Sequence, residues 1–113
     1  NNLKIALDYF QQYLNVAQNG EYANDTRFEI GQIFYNQNQK NMALDNFQLI
    51  SKESPELYRQ SRLYMAEIYF DLDDYKNAAN MYNNVHNLTD DKNILVKIDA
   101  QRIISLIRQG NIK

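Results

Sequence analysis

The residue best suited to acid–base or metal chemistry in this chain is its single histidine, His86, with Asp90 and Asp91 close behind it in sequence. A metal or catalytic centre needs several groups that converge on one point. Here the two carboxylates follow in a polar stretch, and His86 falls late in a helical pattern, at a position that usually points outward. A surface histidine is the simpler reading. Asp71, Asp73 and Asp74 are spaced somewhat like the acids of a calcium loop. Such a loop also requires a Gly and a bidentate Glu at fixed later offsets, and neither is there, so these acids read as a solvated turn. Ser51, Ser54, Ser61 and Ser105 have no histidine near them in sequence to act as base. Only Gly20, Gly31 and Gly110 are available, which rules out a Gly-rich phosphate loop. With no cysteine, disulfides, thiolate metal sites and thiol nucleophiles are excluded. The residues thus carry no catalytic group, no metal site and no cofactor motif.

Composition points the same way. The 113 residues suit one domain, and 44% hydrophobic with 23% charged residues is ordinary for a folded chain. The net charge of −2 argues against nucleic acid as a partner, which calls for a basic surplus or stripe. No apolar run approaches the roughly 20 residues needed to cross a bilayer. Asparagine is frequent, as in Asn83-Asn84, but dispersed among helical patterns, which reads as composition bias. The chain opens on Asn1-Asn2 without an initiator Met and reads as an excised or processed piece, so a removed targeting segment stays open.

What positions the side chains is a repeat. Ile30-Gly31, Phe34, Ala43, Phe47 and Ile50 recur as Met65-Ala66, Tyr69, Ala78, Tyr82 and Val85, each 35 residues later. Half copies flank them. Ala6, Phe10 and Tyr13 lie upstream, with Ala6 37 residues before Ala43; downstream, Gly110 and Ile112 repeat Asp73 and Tyr75, again 37 on. Offsets of three and four place side chains on one helical face. The small residues let a neighbouring helix approach, and the aromatics fill the space around that contact. Six helices are expected, over Leu3–Ala17, Tyr22–Asn36, Asn41–Lys52, Glu56–Phe70, Tyr75–Asn87 and Asp91–Arg108. Polar turns at 36–38 and 71–74 close two hairpins. Asn19-Gly20 supplies a left-handed-tolerant helix stop, Ser54-Pro55 a stop and a start, and Thr89-Asp90-Asp91 an N-cap.

Ile30, Gly31, Phe34, Asn38, Lys40, Ala43, Phe47, Ile50 and Pro55 stand in register with the tetratricopeptide repeat, and the chain resembles that family over nearly its whole length. Asn38 and Lys40 replace its usual Gly and Tyr; the next unit has Asp73 for the Gly, keeps Tyr75, and has Asp90 for the Pro. The resemblance implies an all-α fold, antiparallel helical hairpins stacked in a right-handed α-solenoid. It divides residues 1–113 into a second helix (1–20), two full repeats (21–55 and 56–90) and a first helix (91–113). A narrower likeness runs through Ala6–Leu14, Asn19–Asp25 and Phe28–Gly31, which resemble the longer repeats of bacterial cell-envelope proteins, the Tol–Pal accessory protein and outer-membrane assembly lipoproteins among them. Gln18 stands where those carry Pro. This likeness favours a periplasmic adaptor, while similar repeats in cytoplasmic bacterial proteins keep that compartment open.

The family binds partner proteins in a concave groove lined by first helices. Carried over, its positions are Asp25, Phe28, Glu29, Gln32, Tyr35 and Asn36 in one repeat, and Gln60, Leu63, Tyr64, Glu67, Phe70 and Asp71 in the next. Apolar and aromatic residues among acids match a protein or peptide that is apolar with basic flanks. Cations of the kind that grip a C-terminal carboxylate are missing from these positions. Two readings of the aromatics stand: groove anchors, or packing between helices. The last helix takes no register. Counting back from Gly110 puts Ile103 at the small position, and counting forward from Asp90 puts Ala100 there. Neither end resembles a polar cap, so a central slice of a longer array is expected, with self-association through open ends. Two functions follow from the resemblance, a non-catalytic interaction scaffold or a docking segment of a larger enzyme.

Overall fold

The computed structural model describes residues 2–110. They form six helices and, among the described residues, no strand: α1 Asn2–Val16, α2 Ala23–Asn36, α3 Lys40–Phe47, α4 Pro55–Asp71, α5 Tyr75–Leu88 and α6 Lys92–Arg108. The chain divides into two compact units, Asn1–Tyr58 and Arg59–Lys113. Each is described by itself.

In the N-terminal unit, Leu7, Phe10, Tyr13 and Leu14 of α1 recur at helical spacing and pack with Ala23, Ile30 and Phe34 of the α2 segment. α2 then packs on α3 through the smallest side chain available. A Cβ at Gly31 would lie 2.5 Å from Phe47 Cε1, so the Phe47 ring occupies the space that any other residue would need. Phe47 and Ala43 are fully buried. In the C-terminal unit, Ala66 of α4, Ala78, Tyr82 and Val85 of α5, and Ile98 of α6 form one buried cluster, with Leu63, Tyr69, Phe70, Met81, Ile94 and Leu95 around it.

The two hairpin turns are the same structure 35 residues apart. Asn38 N–H donates to Tyr35 O at 3.0 Å and Gln39 N–H to Phe34 O at 2.9 Å; Asp73 N–H donates to Phe70 O at 3.1 Å and Asp74 N–H to Tyr69 O at 2.9 Å. This pair of bonds is the Schellman closure, which needs a left-handed residue after the helix. Asn38 and Asp73 both sit at φ 60°, and Gly110 repeats the position with φ 87° and its N–H on Ile107 O at 3.0 Å. The departures from glycine at residues 38 and 73 therefore keep the backbone that glycine is used for. Ile112, on which the repeat comparison also drew, lies outside the described residues, as does Asn1.

Two expected stops are corrected. α1 ends at Val16, before Asn19-Gly20, and among the described residues only Asn38, Asp73 and Gly110 take positive φ. Gly20 is needed for space: a Cβ there would lie 2.7 Å from Tyr13 Oη and 2.9 Å from Ala17 Cβ. That hydroxyl accepts the Tyr22 N–H at 3.0 Å, where α2 begins. α3 stops at Phe47 and does not reach Lys52. Leu49 N–H turns to Asn46 O and Ile50 N–H to Phe47 O, at 3.3 and 3.2 Å. Asn24 holds the loop that follows. Its Oδ1 accepts the Ser51 N–H at 3.2 Å, and its Nδ2 donates to Ser51 Oγ and Ser54 Oγ, both at 3.0 Å.

Candidate functional site

Four of the residues expected in a binding groove come together on α4. Gln60, Leu63, Tyr64 and Glu67 line one wall of a cleft of about 330 Å³, with Arg59 at its edge and Ile94 and Lys97 of α6 opposite. Their spacing of three and four along α4 puts them on one face, and α6 is held nearby because Ile94, Leu95 and Ile98 enter the C-terminal core. Leu63 and Ile94 are half-buried and give the cleft an apolar floor.

Glu67 is its electrostatic feature. Burial pushes the carboxyl above the ordinary glutamate value of 4.5; the Lys97 ammonium pulls it back down, and Asp71 adds a smaller upward push. Lys97 Nζ lies 3.9 Å from Glu67 Oε1, and its side chain is 70% exposed against 32% for Glu67. The lysine is thus a long, solvated partner for a carboxylate that has given up part of its hydration, and such a pair contributes little to stability.

Phe70, one turn further along α4, lies outside this cleft. Its ring meets Tyr75 edge-on, with centroids 5.5 Å apart and planes at 81°, and the Arg108 guanidinium covers it at 5.6 Å. In the N-terminal unit, Phe28 is buried, 6% exposed, and its ring packs on Phe47 at 5.8 Å. Glu29 is exposed, while Gln32 and Tyr35 are half-buried. Two depressions of that unit, one around Asn24 and one between Leu14 and Leu49, are lined by none of these four residues.

The residues that sequence reasoning missed are Arg59, Ile94 and Lys97. The groove positions carried over from the family hold no Lys or Arg, and the two cations that line this cleft, Arg59 and Lys97, stand outside those positions. Ile94 and Lys97 are three apart, which was the available signal, but without a register for α6 they could not be set on a face. Neither counted register holds: Ala100 and Ile103 are exposed, and Ile98 and Ser105 are the buried residues of α6. The Ser105 hydroxyl is satisfied by Gln101 O at 2.8 Å.

The other chemical candidates have structural roles. His86 is half-buried, and its Nδ1 lies 3.3 Å from Asp99 Oδ1 without hydrogen-bond alignment. Its acidic neighbour is Asp99 of α6 and not Asp90 or Asp91. Asp99 also accepts from Arg102, which bonds Asn83 as well. Asp74 caps α5 by accepting Asn77 N–H at 3.3 Å, and Asp91 caps α6 by accepting Asn93 N–H at 2.9 Å. No helix among the described residues is long and apolar enough to cross a membrane.

Comparison with curated proteins and with solved structures gives no match. A family model described as Tetratricopeptide repeat matches residues 60–88, from the first turns of α4 to the last residue of α5. The match covers Gln60, Leu63, Tyr64 and Glu67 of the cleft, and it names the repeat family at large, not its cell-envelope members. Repeats of this family generally mediate protein–protein interaction and are generally non-catalytic. The matched hairpin supports the tetratricopeptide repeat family for this chain.

Proposed function

We propose that this chain is a protein-interaction module whose α4–α6 cleft docks a peptide segment of a partner, apolar at its centre and carrying a Lys or Arg. The observation that carries this reading is the meeting, in one cleft, of four expected groove residues with Ile94 and Lys97. Charge argues for the cation. Glu67 is half-buried beside an exposed lysine 3.9 Å away, so a ligand ammonium or guanidinium docking on it would restore the stabilisation its carboxylate lost on burial. The apolar stretch of the ligand would cover Leu63, Tyr64 and Ile94. Within the N-terminal unit, Glu29, Gln32 and Tyr35 occupy the corresponding repeat positions on α2 and are proposed as a docking face of that unit by itself, with Phe28 supporting it from beneath.

A random dodecapeptide library displayed on phage, selected against the chain, supplies ligands, and calorimetry tests the site. Selected peptides should combine apolar residues with Lys or Arg. Leu63→Asp should abolish their binding, since it puts a charge on the apolar floor. Glu67→Gln should weaken it and flatten its salt dependence, because a long-range charge has been removed. Peptides that bind Leu63→Asp as well as the parent chain would sink the proposal.

A further inference from the structure

At the C-terminal end of α4, beyond the cleft, three residues form a box around a cation. The Phe70 and Tyr75 rings stand nearly perpendicular, at 81° with centroids 5.5 Å apart. Arg108 Cζ lies 5.6 Å from the first centroid and 5.2 Å from the second. Its Nη1 donates to Tyr75 Oη at 2.9 Å, and the Tyr75 hydroxyl donates onward to Asp73 Oδ1 at 2.8 Å. The carboxylate thereby fixes the hydroxyl proton away from Arg108 and turns the oxygen lone pairs toward the guanidinium, which strengthens the acceptor. Two aromatic faces and one directed acceptor suit a flat guanidinium better than a compact, strongly hydrated ammonium. The turn backbone, with Asp73 at φ 60°, holds the carboxylate in place.

The present occupant is easily released. Arg108 is the last residue of α6 and is exposed, and terminal turns open at little free-energy cost. We propose that Phe70, Tyr75 and Asp73 form an arginine-binding box, filled by Arg108 in the free chain and open to an arginine of a docked partner. The peptide-docking reading supplies the origin of that arginine; the chemistry of the box stands without it.

N-acetyl-arginine amide and N-acetyl-lysine amide, titrated separately into the full chain and into its Arg108→Ala variant, test this by NMR of the Tyr75 and Phe70 ring signals. The arginine probe should give saturable ring shifts in Arg108→Ala, with affinity about tenfold above the parent chain, where the internal arginine competes. The lysine probe should bind more weakly than the arginine probe. Tyr75→Phe, made in the Arg108→Ala background, should erase most of that preference by removing the acceptor. Absence of saturable ring shifts in folded Arg108→Ala, equal binding of the two probes, or equal binding by variant and parent would each overturn the box. If Arg108→Ala does not fold, Arg108→Lys keeps the aliphatic stem. The arginine probe should then bind that variant more tightly than the parent, and equal affinity would overturn the proposal. Neither probe reaches for Leu63, so failure here leaves the cleft standing, and failure of the Leu63→Asp test leaves the box.

Discussion

The hairpins α2–α3 and α4–α5 share a turn to within a tenth or two of an ångström in its closing bonds, yet they continue differently. α3 has 8 residues and α5 has 14. After α3 the chain leaves the helix for a loop pinned by Asn24, whereas α5 runs on to Leu88 and a brief connection that caps itself, with Asp91 N–H on Thr89 Oγ1 at 3.1 Å. Packing differs too. The first hairpin closes on a glycine under a phenylalanine ring, the second on Ala66 and Ala78 beside Tyr82. One repeat pattern thus fixes the turn strictly, because a left-handed residue and two backbone bonds leave no latitude. It leaves the volume at the contact and the length of the second helix to be settled pair by pair.

The sharpest way to break this comparison is to enlarge the contact. Gly31→Leu and Ala78→Leu should both destabilise by overpacking, about 1–3 kcal/mol each, with Gly31 at the upper end because the Phe47 ring already fills its space. Chemical denaturation checks it. Gly31→Leu made together with Phe47→Ala should cost less than the two changes summed, since the ring is what the new side chain meets.

Next in size is the clamp. Asn24→Ala removes three bonds to the loop after α3 and should cost about 1–2 kcal/mol. Faster hydrogen exchange at Ser51 should accompany the loss, with α5 amides unaffected. The position 35 residues on is Arg59, a different side chain, so the effect is expected in the N-terminal unit.

Smaller still are the turns. Asn38→Gly should stabilise by up to about 1 kcal/mol, because glycine takes φ 60° without strain. Asp73→Gly should gain less, since it also removes the acceptor of the Tyr75 hydroxyl. Thermal melts of the two variants, side by side, read the difference. Equal gains would mean that the Tyr75–Asp73 bond contributes nothing.

Legibility in the sequence followed the strength of the physical constraint. The six helices, the buried small residues and the two turns could be read because spacing and backbone geometry dictate them. The early end of α3 could not, because the loop that replaces its last turns is held by Asn24, remote in sequence. Gly20 was read as a helix stop when its lack of a side chain serves Tyr13 instead. Of the expected groove, Gln60, Leu63, Tyr64 and Glu67 meet in a cleft, whereas the Phe28 and Phe70 rings are engaged by Phe47 and by Tyr75 with Arg108. A pattern of aromatic residues shows which face they occupy and not what covers them. Lys97 stayed hidden because α6 buries Ile98 and Ser105, outside both registers that the repeat allowed.

The least effect expected is on pH dependence, and it concerns Glu67. Burial raises its carboxyl in the folded chain above 4.5, so the folded state holds its proton to higher pH than the unfolded state does. Stability from this group is therefore greatest when it is protonated and falls as pH rises from the ordinary glutamate range through the raised folded value. Glu67→Gln should remove that slope and leave the rest of the profile in place. A denaturation series across the same pH range decides it.

Docking in the α4–α6 cleft is tested most directly by mapping backbone amide shifts in NMR while a library-selected peptide is titrated in. The largest shifts should fall at Gln60, Leu63, Tyr64, Glu67, Ile94 and Lys97, and should collapse in Leu63→Asp. Shifts concentrated instead on the exposed face of α5, around Lys76, Asn80 and Asn83, and unchanged in Leu63→Asp, would contradict it.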